Sequence, residues 1–319
     1  MRILFAGSPE IAVPTLSAIS ARHRIVGVLT NPPSAKGRGL CLSCTPVADA
    51  AAALGVPVLS PERLGPAERE AVAALDPELL VVFAYGRIFG PKFMALFPAG
   101  GINAHPSLLP RWRGCAPIPY AIMHRDTLTG VSIQRVAPKM DSGAVLARRE
   151  ITLDGIETTE NLTALSAELG AGLLASVIDQ LEAGTARDEP QDESAATYCC
   201  ALSKDSGLVD WSLPAPDIDA RVRAFHPWPG AWTSLSGERL AIISARLLAG
   251  DPPVIAADAH SGTQPGTVIS VDKSRGIMVQ TGTGLLALTR LQLRGKKPMD
   301  FRDFANGARG LVGTRLGAL

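Results

Sequence analysis

The chain has 319 residues, of which 46% are hydrophobic and 19% are charged, and its formal net charge is +1. This length suits about two domains of the usual ~100–200 residues, and the composition excludes a disordered polyelectrolyte, which would be less apolar and more highly charged. With 31 basic and 30 acidic residues, the whole molecule has no general attraction for polyanions, so any nucleic-acid contact must come from a local basic patch.

The first half of the chain alternates short apolar runs with helical patterns. Buried strands are predicted at 3–6, 25–29, 56–59 and 79–84, and helices at 11–20, 46–54 and 66–75. This alternation is typical of an α/β domain with a Rossmann-like, parallel-rich sheet covered by helices on both faces. The turn at Gly7, Ser8 and Pro9 lacks the G-x-G-x-x-G pattern, which disfavours a dinucleotide-dependent dehydrogenase.

Further strands are predicted at 102–104, 130–136 and 144–150, and a long amphipathic helix at 159–182 follows them. The polar stretch around Pro190 is typical of a linker. After it, short strand-like runs at 241–247, 266–271, 276–280 and 285–291 indicate a small OB-like β-barrel. We therefore expect a catalytic domain at 1–189, a linker at 190–207 and a C-terminal domain at 208–319.

The apolar run at the N-terminus is too short for a signal peptide. No run of roughly eighteen apolar residues, the length of a membrane span, occurs in the sequence. We therefore expect a cytoplasmic protein without a membrane span. We also expect a monomer. The five cysteines suit free thiols better than a disulfide framework because their number is odd and the chain is long. Cys41 and Cys44 form a C-x-x-C, but a structural zinc site usually needs a second spaced pair. We expect no metal.

The segment from Gly101 to Gly114 is the most informative part of the chain. Asn103 and His105 are two residues apart in a predicted strand, so their side chains project to the same side. They fall at the carboxyl end of that strand, where ligands bind in open α/β sheets. Asp141 follows at a turn between two predicted strands.

A carboxamide, an imidazole and a carboxylate can together catalyse acyl transfer to an amine. The N–H groups of Asn103 and His105 would stabilise the negative charge that attack places on the acyl oxygen. Asp141 would favour the protonated imidazole and relay the proton lost by the amine, which is itself the nucleophile. The same residue types are common in turns and helix caps, and spacing alone leaves both interpretations open.

The run Asn103-x-His105-x-Ser107-Leu108-Leu109-Pro110, followed by Asp141-Ser142-Gly143, closely resembles the folate-dependent formyltransferases. Further matches to that family are F-A-G-S-P at 5–9, V-F-A-Y-G at 82–86 and A-F-H-P-W-P at 224–229. The resemblance covers nearly the whole chain.

The resemblance implies 10-formyltetrahydrofolate as the donor and the α-amino group of methionyl initiator tRNA as the acceptor. Asn103, His105 and Asp141 match the family's catalytic positions. The implied folate contacts are Ser107, Leu108, Leu109 and Pro110, and the implied pterin pocket is lined by Phe83, Ala84, Tyr85 and Gly86.

The resemblance also implies that the C-terminal domain holds the tRNA, and that Lys36 and Arg38 lie on a loop reaching toward the acceptor end. From Arg290 onward the chain has seven basic and two acidic residues, a difference of +5. Lys296 and Lys297 suit either phosphate contacts or a solvated turn. We expect Arg111 and Arg113 at the mouth of the site, in contact with the tRNA. Trp228 and Trp232 could stack on bases, but we expect them to pack in the core, as tryptophans beside prolines more often do.

Other functions stay open on the sequence alone. The enzyme could formylate a small amine such as a nucleotide-linked amino sugar, although the basic C-terminal segment has no obvious use there. A non-catalytic tRNA-binding protein with the same fold is an alternative of a different class. A hydrolase that deformylates the folate would use water in place of the amine.

Overall fold

The structure is a computed structural model that describes residues 1–36, 41–248 and 262–317, with the side chain of Lys36 excepted. The chain divides into two compact units. The first contains Met1–Pro117, Leu128–Thr152 and Asn161–Cys200, and the second contains Ile118–Thr127, Leu153–Glu160 and Ala201–Leu319. The stretch 190–207, for which the sequence predicts a linker, is therefore divided at Cys200. The domain bounds 1–189 and 208–319 stay predictions.

The first unit is built on a seven-stranded sheet with the order β10-β9-β7-β6-β1-β2-β5. Its strands, together with two short pairs, are β1 (Arg2–Gly7), β2 (Arg24–Leu29), β3 (Ser34–Lys36), β4 (Cys41–Ser43), β5 (Val58–Leu59), β6 (Leu79–Phe83), β7 (Gly101–His105), β8 (Arg113–Gly114), β9 (Leu128–Arg135), β10 (Val145–Thr152) and β11 (Tyr198–Cys199). Strands β5, β2, β1, β6 and β7 are parallel, whereas β9 and β10 run antiparallel to their neighbours.

The helices that precede Cys200 in the chain are α1 (Val13–Ser20), α2 (Pro46–Ala53), α3 (Pro66–Ala73), α4 (Pro91–Met94), α5 (Pro117–Met123) and α6 (Thr159–Glu182). Several begin with proline in the first turn, where its missing N–H costs nothing. Strand β6 is buried along its whole length, as expected for a parallel strand covered on both faces. The predicted α/β class with a parallel-rich sheet is confirmed.

Helix α6 has the bounds predicted from its spacing of leucines. It is the one helix in the described part of the chain that is long and apolar enough to cross a membrane by length and composition, and half of its apolar window is buried in the fold. Its buried residues include Leu162, Leu174, Val177 and Ile178. This is the burial pattern of an amphipathic core helix.

The second unit contains an antiparallel sheet. Its C-terminal elements are α7 (Ala215–Ala224), β12 (Ala231–Leu235), β13 (Glu238–Leu247), β14 (Val268–Asp272), β15 (Gly276–Gln280), β16 (Leu285–Leu293), β17 (Met299–Asp300) and α8 (Phe301–Gly307). Their core includes Trp211, Ile218, Leu240, Val279 and Phe301. The prediction of a small β-barrel for this region does not include α7 and α8, which are short helices in which charged residues interrupt the apolar pattern.

Two glycines give opposite predictions for stability. A Cβ built at Gly143 would overlap the carbonyl oxygen of Arg135, whereas one at Gly172, on the exposed side of α6, meets nothing within 4 Å. We expect Gly143→Ala to lower the free energy of unfolding by about 1–3 kcal/mol through steric strain. We expect Gly172→Ala to raise it by about 0.5–1 kcal/mol through helix propensity. Urea denaturation measures both, and equal effects of the same sign would contradict the prediction.

Candidate active site

The end of β7 and the turn before β10 meet at one cavity of the first unit. Asn103, His105 and Asp141 all line this cavity, which has a volume of about 410 Å³. Strand alternation places Asn103 and His105 on the same side. Asp141 arrives from a turn 38 residues further along the chain, between β9 and β10. The cavity therefore brings together the carboxamide, imidazole and carboxylate that the sequence singles out.

The Asp141 carboxylate is held by hydrogen bonds to both of its oxygens. Oδ2 accepts from the backbone N–H of Gly114 at 2.9 Å, and Oδ1 accepts from Nε2 of Gln134 at 2.8 Å. Its backbone has φ +52°, a left-handed conformation that is uncommon outside glycine. The side chain is 12% exposed. The carboxylate is therefore held in place, and a small part of it remains accessible from the cavity.

The His105 imidazole has a fixed orientation. Its Nε2 lies 2.9 Å from the carbonyl oxygen of Trp112, which can only accept, so Nε2 carries a proton. Its Nδ1 lies 3.7 Å from Oδ1 of Asp141, and the side chain is 6% exposed. In the neutral ring Nδ1 is therefore an acceptor. A second proton, on Nδ1, would make this nitrogen a hydrogen-bond donor.

The Asn103 carboxamide can lie either way round. In one orientation its Nδ2 faces Oδ1 of Asp141 at 3.5 Å. Turned over, the nitrogen donates to the carbonyl oxygens of Val82 at 3.2 Å and Ala104 at 3.3 Å. The second arrangement makes the shorter hydrogen bonds and suits the free site. An oxyanion in the cavity would favour the first, because there the amide N–H is not bonded to the two backbone carbonyl oxygens.

The predicted pterin-pocket residues Phe83, Ala84, Tyr85 and Gly86 line the cavity. The Tyr85 hydroxyl is buried without a hydrogen-bond partner in the described part of the chain, and burial raises its pKa. A buried hydroxyl of this kind normally finds a partner.

The predicted folate contacts Ser107, Leu108, Leu109 and Pro110 are not among the residues that line this cavity. Ser107 is fully buried, its hydroxyl donates to the Arg111 carbonyl at 2.6 Å, and its own carbonyl accepts from Ser132. The backbone N–H of Leu109 donates to the same Ser132 hydroxyl at 3.1 Å. The segment braces the end of β7 against β9, and its role in folate binding stays a prediction.

The basic residues predicted to contact tRNA differ in their placement. The prediction for Arg113 is wrong, because its guanidinium is 0% exposed and donates to Gln191 and Glu193. Arg111 is exposed and its guanidinium lies over the Trp112 ring, 4.3 Å from the centroid. Lys296 and Lys297 are exposed beyond β16. Arg38 lies outside the described residues, and of Lys36 only the backbone, in β3, is described.

The tryptophan prediction also needs a correction. Trp228 is 54% exposed, so it is not a core residue. Trp232 is partly buried in β12, with the Arg239 guanidinium 4.4 Å from its ring centroid.

Two side chains that hold the turn around Asp141 were not predicted from the sequence. Gln134 is 2% exposed and pairs in register with Asn103. Its signal is a polar residue within the buried strand β9. Gln191 donates to the carbonyl oxygens of Asp141 and Gly143, and it lies in a polar stretch that resembles a linker.

Other polar clusters are weaker candidates. A larger cavity of about 770 Å³ within the second unit is walled partly by His124, Arg125 and Asp217, but Asp217 is already bonded to Arg125 at 3.0 Å. His23, Asp179 and Glu182 bring metal-ligand atoms within 4.8 Å of one another. Both of those carboxylates are paired with cations of the chain. Cys41 and Cys44 are exposed.

Comparison with known proteins identifies the family to which the chain belongs. Residues 1–178 match the family model described as formyl transferase, and residues 201–309 match that of the formyl transferase C-terminal domain. The chain belongs to the formyl transferase family.

The names of its relatives indicate which kind of formyl transferase the chain resembles. A protein of Treponema denticola named methionyl-tRNA formyltransferase is 46% identical over 97% of each chain. One of the same name from Treponema pallidum (strain Nichols) is 46% identical over 99% of each. Among solved structures, WlaRD, described as a sugar 3N-formyl transferase in the presence of dTDP and 5-N-formyl-THF, has a TM-score of 0.66 and 15% identity. The match covers 93% of this chain and 99% of that one, and at this identity it shows the fold alone.

Thiol labelling tests whether the cavity is used. Cys115 is exposed and lines the cavity, whereas burial raises the pKa of Cys199 to about 11, so Cys199 stays protonated and unreactive. We expect a bulky maleimide on Cys115 to lower activity at least about tenfold by blocking the cavity. The Cys115→Ser variant, still labelled at its other exposed cysteines, should keep its activity. Equal loss in both proteins would contradict the prediction.

Proposed function

We propose that this enzyme transfers the formyl group of 10-formyltetrahydrofolate to the α-amino group of methionine on initiator tRNA, for translation initiation. The full-length similarity to proteins named methionyl-tRNA formyltransferase supports this acceptor. The observation that carries the chemistry is the convergence of Asn103, His105 and Asp141 on one cavity.

The reaction needs a site for a transient negative charge. The amine attacks the formyl carbon, and the formyl oxygen becomes an oxyanion. The Asn103 amide and the protonated Nδ1 of His105 are the donors that would stabilise it, and losing one such donor costs about 10²–10³ in rate. The Trp112 carbonyl keeps the ring in place throughout.

Asp141 has two tasks in this proposal. Its negative charge, 3.7 Å from Nδ1 of His105, stabilises the imidazolium. It also accepts the proton that the amine loses on attack, directly or through a water, and passes it toward the leaving nitrogen of the folate. Because the acceptor amine is the nucleophile, no side chain of the protein needs to form a covalent bond.

The cavity suits a folate. Its walls are mostly apolar, with Phe83, Ala84, Val136 and Met140 among them, and a few polar groups at one end would fix the orientation of a flat ring system. The Tyr85 hydroxyl and the backbone of residues 83–86 are the groups we assign to the pterin. When bound, 10-formyltetrahydrofolate supplies the activated formyl group.

The second unit carries a surface suited to tRNA. The seven basic residues from Arg290 onward are all exposed. Exposed cations bind nucleic acid mainly by displacing counterions from phosphates. We propose that Lys296 and Lys297, with neighbouring arginines, contact the tRNA backbone, and that Arg111 contacts it near the cavity. Cytoplasmic location and a monomeric state stay predictions; gel filtration tests the second.

Acceptor competition tests the proposal. Purified enzyme and 10-formyltetrahydrofolate are incubated with methionyl initiator tRNA, methionyl elongator tRNA or a nucleotide-linked amino sugar. We expect formyl transfer to the initiator tRNA to be fastest. Transfer to the amino sugar alone would overturn the acceptor assignment, and folate turnover without any amine would identify a hydrolase.

Replacing the carboxylate tests the assignment of Asp141. We expect Asp141→Asn to lower kcat by about 10³-fold or more, because the amide neither accepts a proton nor stabilises an imidazolium. The Kd for the folate should stay within a few-fold, since the cavity walls are unchanged. Single-turnover kinetics and fluorescence titration measure the two quantities. Near-normal turnover would remove Asp141 from the mechanism.

Salt dependence tests the basic surface. Each phosphate contact contributes roughly 0.7–0.9 to the slope of log K against log salt, so Lys296→Ala with Lys297→Ala should lower the slope by about 1.5 and weaken tRNA binding without changing folate binding. Lys273→Ala, an exposed lysine between β14 and β15, is the control. An unchanged slope in the double variant would exclude these lysines from the tRNA contact.

A further inference from the structure

The guanidinium of Arg113 is buried beside the turn that carries Asp141. Its side chain is 0% exposed, and a buried charge must be paired to be tolerated. Nη2 donates to Oε1 of Glu193 at 2.6 Å, and Nε and Nη2 donate to Oε1 of Gln191 at 3.0 and 2.8 Å. Arg113 and Lys139 together hold the pKa of Glu193 down to about 2, so this pairing is intact at neutral pH.

Gln191 uses both ends of its amide. Its oxygen accepts from Arg113, and its nitrogen donates to the carbonyl oxygens of Asp141 at 2.9 Å and Gly143 at 2.7 Å. The guanidinium can only donate, so it fixes which end of the Gln191 amide faces the turn. The same nitrogen lies 3.3 Å from Oε1 of Gln134, whose own nitrogen donates to the Asp141 carboxylate.

The turn needs such a restraint. Asp141 adopts a left-handed backbone conformation that a non-glycine residue leaves unless its surroundings hold it there. Gly114 and Gln134 hold the carboxylate, and Gln191 holds the backbone on both sides of Ser142. Catalytic groups lose much of their effect when they are displaced by about 1 Å.

We propose that Gln191 is a positioning residue for Asp141, oriented by the buried Arg113. It fixes the turn from which the carboxylate reaches His105, and it does not itself contact the substrates. This inference rests on the proposed function, in which Asp141 is the group that handles the proton.

The test replaces the amide of Gln191. Gln191→Ala removes the restraint, and Gln191→Glu keeps an acceptor for Arg113 while turning a carboxylate toward the two carbonyls. We expect kcat to fall about 10–100-fold in both variants, with KM for the formyl-folate changed less than about threefold. Glu189→Gln, the reverse change two residues earlier, breaks only an exposed ion pair with Arg148 and should match the wild type.

A second measurement is independent of the reaction. Hydrogen exchange of peptides covering 135–144 should be faster in Gln191→Ala than in the wild type, while exchange in β1 and β6 is unchanged. If the wild type does not transfer formyl groups, the proposed function fails, and this exchange result still decides whether Gln191 holds the turn.

Arg113→Lys completes the test and covers the case in which Gln191→Ala does not fold. Because Arg113 acts through Gln191, its replacement should lower kcat in the wild type and add nothing in the Gln191→Glu background. Wild-type kcat in a folded Gln191 variant, unchanged exchange at 135–144, or fully additive effects of the two substitutions would each overturn the proposal.

Discussion

The register between β7 and β9 is the constraint on which the site depends. Asn103 pairs with Gln134, so the two amide residues lie side by side on neighbouring strands of the sheet. Strand alternation then places His105 on the Asn103 side, and Gln134 reaches Oδ1 of Asp141. A shift of either strand by one residue would turn these side chains to the opposite face. The Ser132 hydroxyl, bonded to both Ser107 and Leu109, fixes that register from the following loop.

The one carboxylate of the site, Asp141, accepts its hydrogen bonds from neutral donors. The Asp141 carboxylate accepts hydrogen bonds from the backbone N–H of Gly114 and the side-chain amide of Gln134. The charged Arg113 does not contact this carboxylate but donates to the side chain of Gln191, which lies between them. A direct Arg113–Asp141 ion pair would hold the carboxylate more tightly. It would also make the carboxylate a poorer proton acceptor and would reduce its influence on His105. The Gln191 amide instead holds the backbone of the turn in place and leaves the carboxylate without an ion pair to Arg113.

The elements that the sequence predicts well are those with strong local patterns. Helix α6 has its predicted bounds because its apolar residues recur at helical spacing over six turns or so. Strand β6 of the first sheet is found because it is apolar and buried along its whole length, as a parallel strand covered on both faces must be. Asn103 and His105 share a side because the strand period alone dictates it. The reaction type depends on the resemblance, since the residue types alone also suit turns and caps.

The errors concern contacts between residues far apart in the chain. Arg113 is predicted at the surface because arginine is seldom buried, and only the fold shows that Gln191 and Glu193, about 80 residues later, pair with it. Gln191 lies in a polar stretch whose composition is that of a linker. Trp228 is predicted in the core because large aromatic residues usually are, yet it is half exposed.

A crystal structure with a non-reactive analogue of 10-formyltetrahydrofolate tests the central claim most directly. We predict that the analogue's formyl oxygen lies about 3 Å from both the Asn103 amide nitrogen and Nδ1 of His105, with the Asp141 carboxylate facing the formyl carbon. An analogue bound in this cavity with its formyl group directed away from these three side chains, or bound elsewhere on the chain, would contradict it.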